Sequence, residues 1–222
     1  MELNVKNEDL DICRECGGVC CLKSGCDYAA SDFKDKTYNG FVEALSVGDK
    51  SIVAMIDFNM LNNGKFIPVP MLYIRARNTN RDIIDLVSMK TKCSSLMSDG
   101  CSHDYEHRPF GGKNLKPVRE CEGPCTPVVE PMTILKGWMP YQQQLSKIVK
   151  RYTGKSVNDK ISADVEELFY RVLIKDYEGV SEMEIYDLKG FVLLLMRAYP
   201  DEYKRALDRY KKSSYSRILN KK

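Results

Sequence analysis

Cys13 and Cys16 stand in a C-x2-C arrangement, Gly17 and Gly18 follow, and then come the adjacent pair Cys20 and Cys21 and, five residues on, Cys26. Thiolates at this spacing can grip one ion from a tight turn, and neighbouring glycines let the backbone wrap it. Four cysteines within nine residues, beside Gly-Gly and charged neighbours, suit metal ligation better than packing as small hydrophobes. Adjacent residues of an extended segment point to opposite sides, so Cys20 and Cys21 read as serving two metals, or one metal and a separate structural role. Cys93, Cys101, Cys121 and Cys125 complete a set of nine. An odd count fits a closed disulfide set poorly, and a reducing compartment would leave such bridges unformed. Two four-thiolate sites would use eight cysteines and leave one over. Zinc and iron–sulfur share these ligands, so softness does not separate them. The adjacent pair and the ligand surplus favour an iron–sulfur cluster, such as [4Fe–4S], over zinc.

The elements that must position these thiolates are uneven. Residues 1–12 are a polar lead-in, and residues 13–26 are too short and Gly-rich for a stable helix. From Ser31 to about Leu61 the pattern is mixed: Asp32 is placed to cap a helix, and Phe41, Ala44 and Leu45 form a short apolar stripe. Asn62-Asn63-Gly64-Lys65 is a turn. Phe66 to Arg77 reads as an extended segment whose two prolines confine its first half to an edge strand. Ile83 to Met89 is β-branched and expected to pair with that preceding strand. The stretch around Cys101, Cys121 and Cys125 is loop-like, with many Gly and Pro residues, and metal ligation would give it shape.

After Pro131 helical periodicity takes over. Ile134, Trp138, Tyr141, Leu145, Ile148 and Tyr152 fall on one face. Val165, Leu168, Phe169 and Val172 mark a second helix. Ser181 and Glu184 form a capping box for a third, with Ile185, Leu188, Val192 and Leu195 inward. Pro200 ends it, and a basic helix from about Asp201 to Lys212 closes the series. The expected architecture is α+β: a loop-rich cysteine-cluster metal-binding domain with a small β element at 10–130, then a helical C-terminal region at 131–222.

Composition sets further bounds. With 222 residues, 43% of them hydrophobic, the chain can bury a real core. A net charge of +3 implies no strong field toward nucleic acid or membrane. Acidic residues interleave with Lys204, Arg205, Arg209, Lys211 and Lys212, so that helix reads as a solvated face. Asp57, Asp82 and Asp85 read as solvated surface, and the apolar and aromatic stripe after Pro131 as core. The longest apolar run, Phe191 to Met196, is far short of a span, and Met1 to Asp11 lacks a secretory pattern. The expectation is a cytoplasmic protein that binds neither nucleic acid nor membrane, with a protein or peptide partner open and the oligomeric state unassigned. No phosphate loop, dinucleotide fingerprint, nucleophile elbow or H-E-x-x-H motif occurs. The order C-x2-C-x3-C is also not the C-x3-C-x2-C of radical S-adenosylmethionine enzymes.

Two blocks resemble the YkgJ-type cysteine-cluster family, described as zinc- or iron-chelating domains. One is the C-x2-C-x3-C-C of Cys13 to Cys21; the other comprises Cys93, Leu96, Asp99-Gly100, Cys101, Tyr105 and Arg108-Pro109. The closing cysteine usually follows Arg-Pro within a few residues, whereas Cys121 comes twelve after Pro109, and Cys26 and Cys125 are extra to the pattern. The resemblance implies metal binding, with Tyr105 and Arg108 around the cofactor. There Arg108 would donate to sulfur or offset cluster charge; the plainer role is to satisfy a loop carbonyl. His103 and His107 are possible ligands, or exposed loop residues. Flagellin lysine N-methylases carry a similar cluster, which makes a cluster-dependent enzyme of peptide or protein modification an alternative and brings in S-adenosylmethionine. A third reading is a structural zinc domain whose helical region docks a protein.

Overall fold

The longest regular β structure is a hairpin of β1 (Lys50–Met60) and β2 (Phe66–Ala76), antiparallel from Lys50↔Ala76 to Met60↔Phe66. It is seen in a computed structural model of the chain, which describes residues 21, 25–60, 66–77, 82–87, 93–98, 100–104, 106–116, 126–127, 129–177 and 182–213. The expected turn at Asn62–Lys65 lies outside these residues. Ile52, Val53, Leu72, Tyr73 and Ile74 are buried, so the half of the hairpin nearest its open end is the half the core covers. The mixed pattern before Leu61 hid β1.

Antiparallel pairing turns the backbone groups of alternate residues outward. On β2 these are Leu72, Ile74 and Ala76: the Ala76 N–H donates to Cys26 O (2.8 Å) and Tyr28 N–H to Ile74 O (3.0 Å). The Gln142 side-chain amide takes the next place, accepting from Leu72 N–H (2.9 Å) and donating to Leu72 O (2.7 Å). Pro68 and Pro70 share that parity, so their missing N–H groups face out of the ladder. The segment at Ile83 pairs elsewhere than expected. It lies along the far side of β1, with a parallel bridge from Ile84 to Ile52 and bonds from Ile52 N to Ile83 O (2.8 Å) and Asp85 N to Ile52 O (2.9 Å). The reason is occupancy: the outer edge of β2 is already taken by residues 26–28.

Helix α1 (Tyr38–Ser46) buries Phe41 and Leu45 against this sheet, as the stripe suggests. Its cap is Thr37, which accepts from Gly40 N–H at 3.2 Å, and not Asp32. Asp32 lies in a 3-10 turn (Ala30–Asp32), and its carboxylate accepts from the N–H groups of Ala29 (3.0 Å) and Phe110 (2.8 Å). Burial pushes its pKa up against these hydrogen bonds. Two short antiparallel pairs, β3 (Leu96–Met97) with β4 (Gly100–Cys101) and β5 (Leu115–Lys116) with β6 (Thr126–Pro127), flank the one-turn helix α2 (Phe110–Lys113) in the chain.

The apolar face that begins at Ile134 is divided. Helix α3 (Pro131–Gly137) ends in a 3-10 turn (Met139–Tyr141) before α4 (Gln142–Thr153) begins. Pro140 lacks the N–H that a continuous helix would use there. The stripe still packs as read, with Ile134, Trp138, Leu145 and Ile148 buried, but Tyr152 on the last turn is 49% exposed. Helix α5 (Val157–Leu173) starts at Ser156, whose hydroxyl accepts from Asp159 N–H (3.2 Å), and buries Val165, Leu168 and Phe169. Helix α6 (Glu182–Ala198) buries Val192 and Leu195; Ser181 and the side chains of Glu184 and Ile185 lie outside the described residues. In α7 (Pro200–Lys212), Arg205 and Arg209 pair with Glu166 (2.6 Å) and Glu167 (2.5 Å) of α5, and the Arg209 guanidinium sits 3.7 Å from the Tyr170 ring centre.

These helices and sheets make the chain α+β. Buried side chains form one continuous cluster from Tyr28 through Phe41, Ile74 and Trp138 to Ala206. Trp138 is its centre: its ring lies 5.6 Å from Phe33 and 5.5 Å from Phe41, and its Nε1–H donates to Tyr28 O at 2.8 Å. The helical part therefore grips the segment that carries Cys26. Among the described residues, no helix is long and apolar enough to cross a membrane.

Candidate metal centre

Three segments distant in sequence bring one sulfur each to a common point. Cys26 opens the short segment that bridges the outer edge of β2 at Asp27↔Arg75 and is fixed by the bond from Ala76 N–H. Cys93 precedes β3, and its N–H donates to Cys21 O at 2.7 Å. The sulfurs of Cys21, Cys26 and Cys93 all lie within 4.8 Å of one another. Cys93 is buried, and the other two are half-buried.

The Cys93 thiol is held well below the ordinary thiol range. The Cys21 and Cys26 thiols, hydrogen-bonded to its sulfur, are the largest causes; burial opposes them, and the N–H groups of Cys26 and Ser95 add to them. A sulfur that already gathers donors is suited to carry charge beside a cation. Tyr28 faces the same neighbourhood. Burial first, then the negative charges of Asp49, Cys93 and Cys26, push its hydroxyl up and keep it protonated. In the segment after Cys26, Asp27 pairs with Arg75, whose guanidinium lies 5.2 Å from the Tyr73 ring centre. Burial works against the charge on Arg75, and Tyr73, Asp27 and Cys26 more than offset it.

Glycines supply the close approach. A Cβ on Gly25 would fall 1.8 Å from Ala76 O, and one on Gly112 would fall 3.1 Å from the Cys26 sulfur. Gly111 N–H donates to Asp27 O at 2.8 Å, so the Gly111-Gly112 turn lies flat against Cys26 and Asp27. Sequence reasoning counted these glycines only as loop composition. The adjacent pair 111–112 was the available signal, but nothing in spacing alone says what it packs on.

Among the sequence candidates, Cys21, Cys26 and Cys93 are brought together. Cys26, ranked as extra to the motif, is one of the three, because the β2 ladder and not the motif spacing sets its place. The backbone at Cys21 is helical, so the extended-segment argument for opposite-facing neighbours does not hold at that residue. Cys101 is half-buried on β4 opposite Leu96 and does not join the three sulfurs. His107 is exposed and pairs with Asp104 (Nδ1 to Oδ1, 2.6 Å); neither it nor His103 joins them. Arg108 donates from Nε to His103 O at 3.3 Å. Cys13, Cys16, Cys20, Cys121, Cys125 and Tyr105 lie outside the described residues.

Three thiolates of this kind fit a soft cation. Around one zinc at about 2.3 Å, tetrahedral geometry puts sulfurs ~3.8 Å apart. A separation within 4.8 Å is compatible with that after a small closure. In a [4Fe–4S] cluster each thiolate binds a different iron, which holds the sulfurs wider. Among the described residues no fourth His, Cys, Asp or Glu joins the group. Comparison with protein-family models, curated proteins and solved structures gives no match to this chain.

Proposed function

We propose that this chain is a thiolate metal-binding protein that holds one ion of the zinc class through Cys21, Cys26 and Cys93. The observation that carries the reading is the convergence of the three sulfurs within 4.8 Å from separate segments. Amide N–H groups aimed at Cys93 and the flat glycine turn against Cys26 support it. In this reading the helices from 131 onward support the centre, with Trp138 holding the segment of Cys26 through Tyr28 O. The fourth coordination position is left to a ligand beyond the described residues or to water. The YkgJ resemblance is consistent with chelation and rests on its two sequence blocks alone.

Elemental analysis of protein purified anaerobically tests this. The expected result is zinc bound at a fixed ratio per chain, lost on Cys26→Ser or Cys93→Ser. Cobalt(II) substituted into the site should show the strong visible absorption of tetrahedral thiolate ligation. Metal content unaffected by either variant would sink the assignment. A second reading, an iron–sulfur cluster, is favoured by the nine cysteines, more than one ion takes. Iron with an equal amount of acid-labile sulfide and a brown protein would establish it. A spectral change of that form with S-adenosylmethionine or a peptide would point on to the modifying enzyme.

A further inference from the structure

We propose that Cys21 and Cys93 form a reversible oxidation site, in which a two-electron oxidant of the peroxide class joins them in a disulfide. The bond itself needs only the two thiols. Its consequence, release of the ion as two of three ligands are consumed, rests on the metal reading above.

The geometry selects the pair. Cys93 N–H donates to Cys21 O at 2.7 Å, and with N–Cα about 1.5 Å and Cα to O about 2.4 Å the two Cα atoms lie no more than about 6.6 Å apart. That lies inside the window a disulfide spans without backbone movement. Their sulfurs are within 4.8 Å, so side-chain rotation closes the remaining gap. Cys26 is a poorer partner, because its backbone is anchored to another element through Ala76 N–H. Exposure assigns the order of events. Cys21 is half-buried and meets the oxidant, while Cys93, 1% exposed, waits behind it. The Cys21 sulfur attacks one peroxide oxygen, the O–O bond breaks, and sulfenic acid and hydroxide form; hydroxide takes the thiol proton and leaves as water. The Cys93 sulfur then attacks the sulfenic sulfur, the S–S bond forms, the S–O bond breaks, and the hydroxide that leaves takes a proton from solvent to become a second water. Two electrons pass from two thiols to one peroxide. A dithiol reductant reverses the step by exchange.

The test treats the reduced, chelator-stripped full chain with one equivalent of hydrogen peroxide under anaerobic conditions. Remaining thiols are alkylated and the bridges mapped by mass spectrometry without reduction. The expected result is a dominant Cys21–Cys93 bridge, with two of the nine thiols lost to alkylation. Cys26→Ser should keep that bridge, and reductant should restore both thiols. A dominant Cys26–Cys93 bridge, a bridge that leaves Cys93 alkylatable, or no bridge would overturn the proposal. A parallel run on the metal-loaded chain, read with a chromophoric chelator, should release one ion per bridge formed. If the purified chain holds no metal and the bridge still forms, the metal reading fails and the oxidation site stands. If metal binds and no bridge forms, the reverse holds.

Discussion

Replacing Gly25 with alanine tests whether the ladder that carries Cys26 is what places its sulfur. The new Cβ would lie 1.8 Å from Ala76 O and 3.0 Å from Ala76 C, both backbone atoms that cannot rotate away. Cβ atoms essentially never come within 3.0 Å of such a neighbour, so the segment must move off β2 by more than an ångström. Two backbone hydrogen bonds go with it, Ala76 N–H to Cys26 O and Tyr28 N–H to Ile74 O. At about 1 kcal/mol net for each, plus strain at the Asp27–Arg75 pair, the expected loss is about 2–4 kcal/mol. In the proposed metal centre ligation tolerates errors of about 0.2 Å, so Cys26 would also leave the coordination shell. Urea unfolding of the stripped chain reads the first effect, and competition with a chromophoric chelator reads the second, expected as a drop of at least about tenfold. Gly112→Ala is the graded control. Its Cβ would sit 3.1 Å from the Cys26 sulfur, a displacement of tenths of an ångström, and it should weaken metal binding with little change in urea midpoint. Wild-type stability together with wild-type metal affinity in Gly25→Ala would refute the reasoning.

Trp138→Phe should lose about 1–3 kcal/mol in urea unfolding, since it leaves Tyr28 O without its buried donor; Trp138→Ala should lose about 3–5 kcal/mol. Thr37→Ala removes the cap of α1 and should cost about 1 kcal/mol, read as a lower thermal midpoint. Tyr28 has a folded pKa raised above its ordinary 10.0, so the unfolded chain releases that proton first. Its contribution is complete below pH 10.0 and is lost as pH climbs from there toward the folded value. Tyr28→Phe should flatten that alkaline decline by one proton in urea titrations run across it, whereas an unchanged slope would remove Tyr28 from the account.

The chemistry was more legible in the chain than its geometry. Cysteine type and density marked a group of converging thiols, and Cys21 and Cys93 were among the candidates, because thiolate softness is a property of the residue itself. Cys26, extra to the motif, joins the other two sulfurs because a motif counts residues along the chain, while the outer edge of β2 sets where this one lies. The apolar stripe from Ile134 to Ile148 was readable from its period, but its division at Pro140 was not, since both arrangements bury the same face. Asp32 has the composition of a helix cap, yet the Phe110 N–H that claims it lies far along the chain. Strand β1 was missed because its inner half, Ile52 to Ile56, is continuously apolar and shows no two-residue period; only Ile56, Phe58 and Met60 alternate with Asp57 and Asn59. The segment at Ile83 was recognised as extended, and its partner was misassigned because edge occupancy is a tertiary fact.

The Gln142 amide beside Leu72 has a consequence for the behaviour of the chain at high concentration. An open strand edge is a template on which a second chain can add, the usual beginning of sheet aggregation. Along β2, Pro68 and Pro70 have no N–H to offer, Leu72 is satisfied by Gln142, and Ala76 by Cys26. One glutamine thus stands in for a residue of a neighbouring strand at the place where the prolines stop and the Cys26 segment has not yet begun. The same edge that seats Cys26 is thereby closed to intruding strands, so the guard against self-association and the support of the three-sulfur group are one structure.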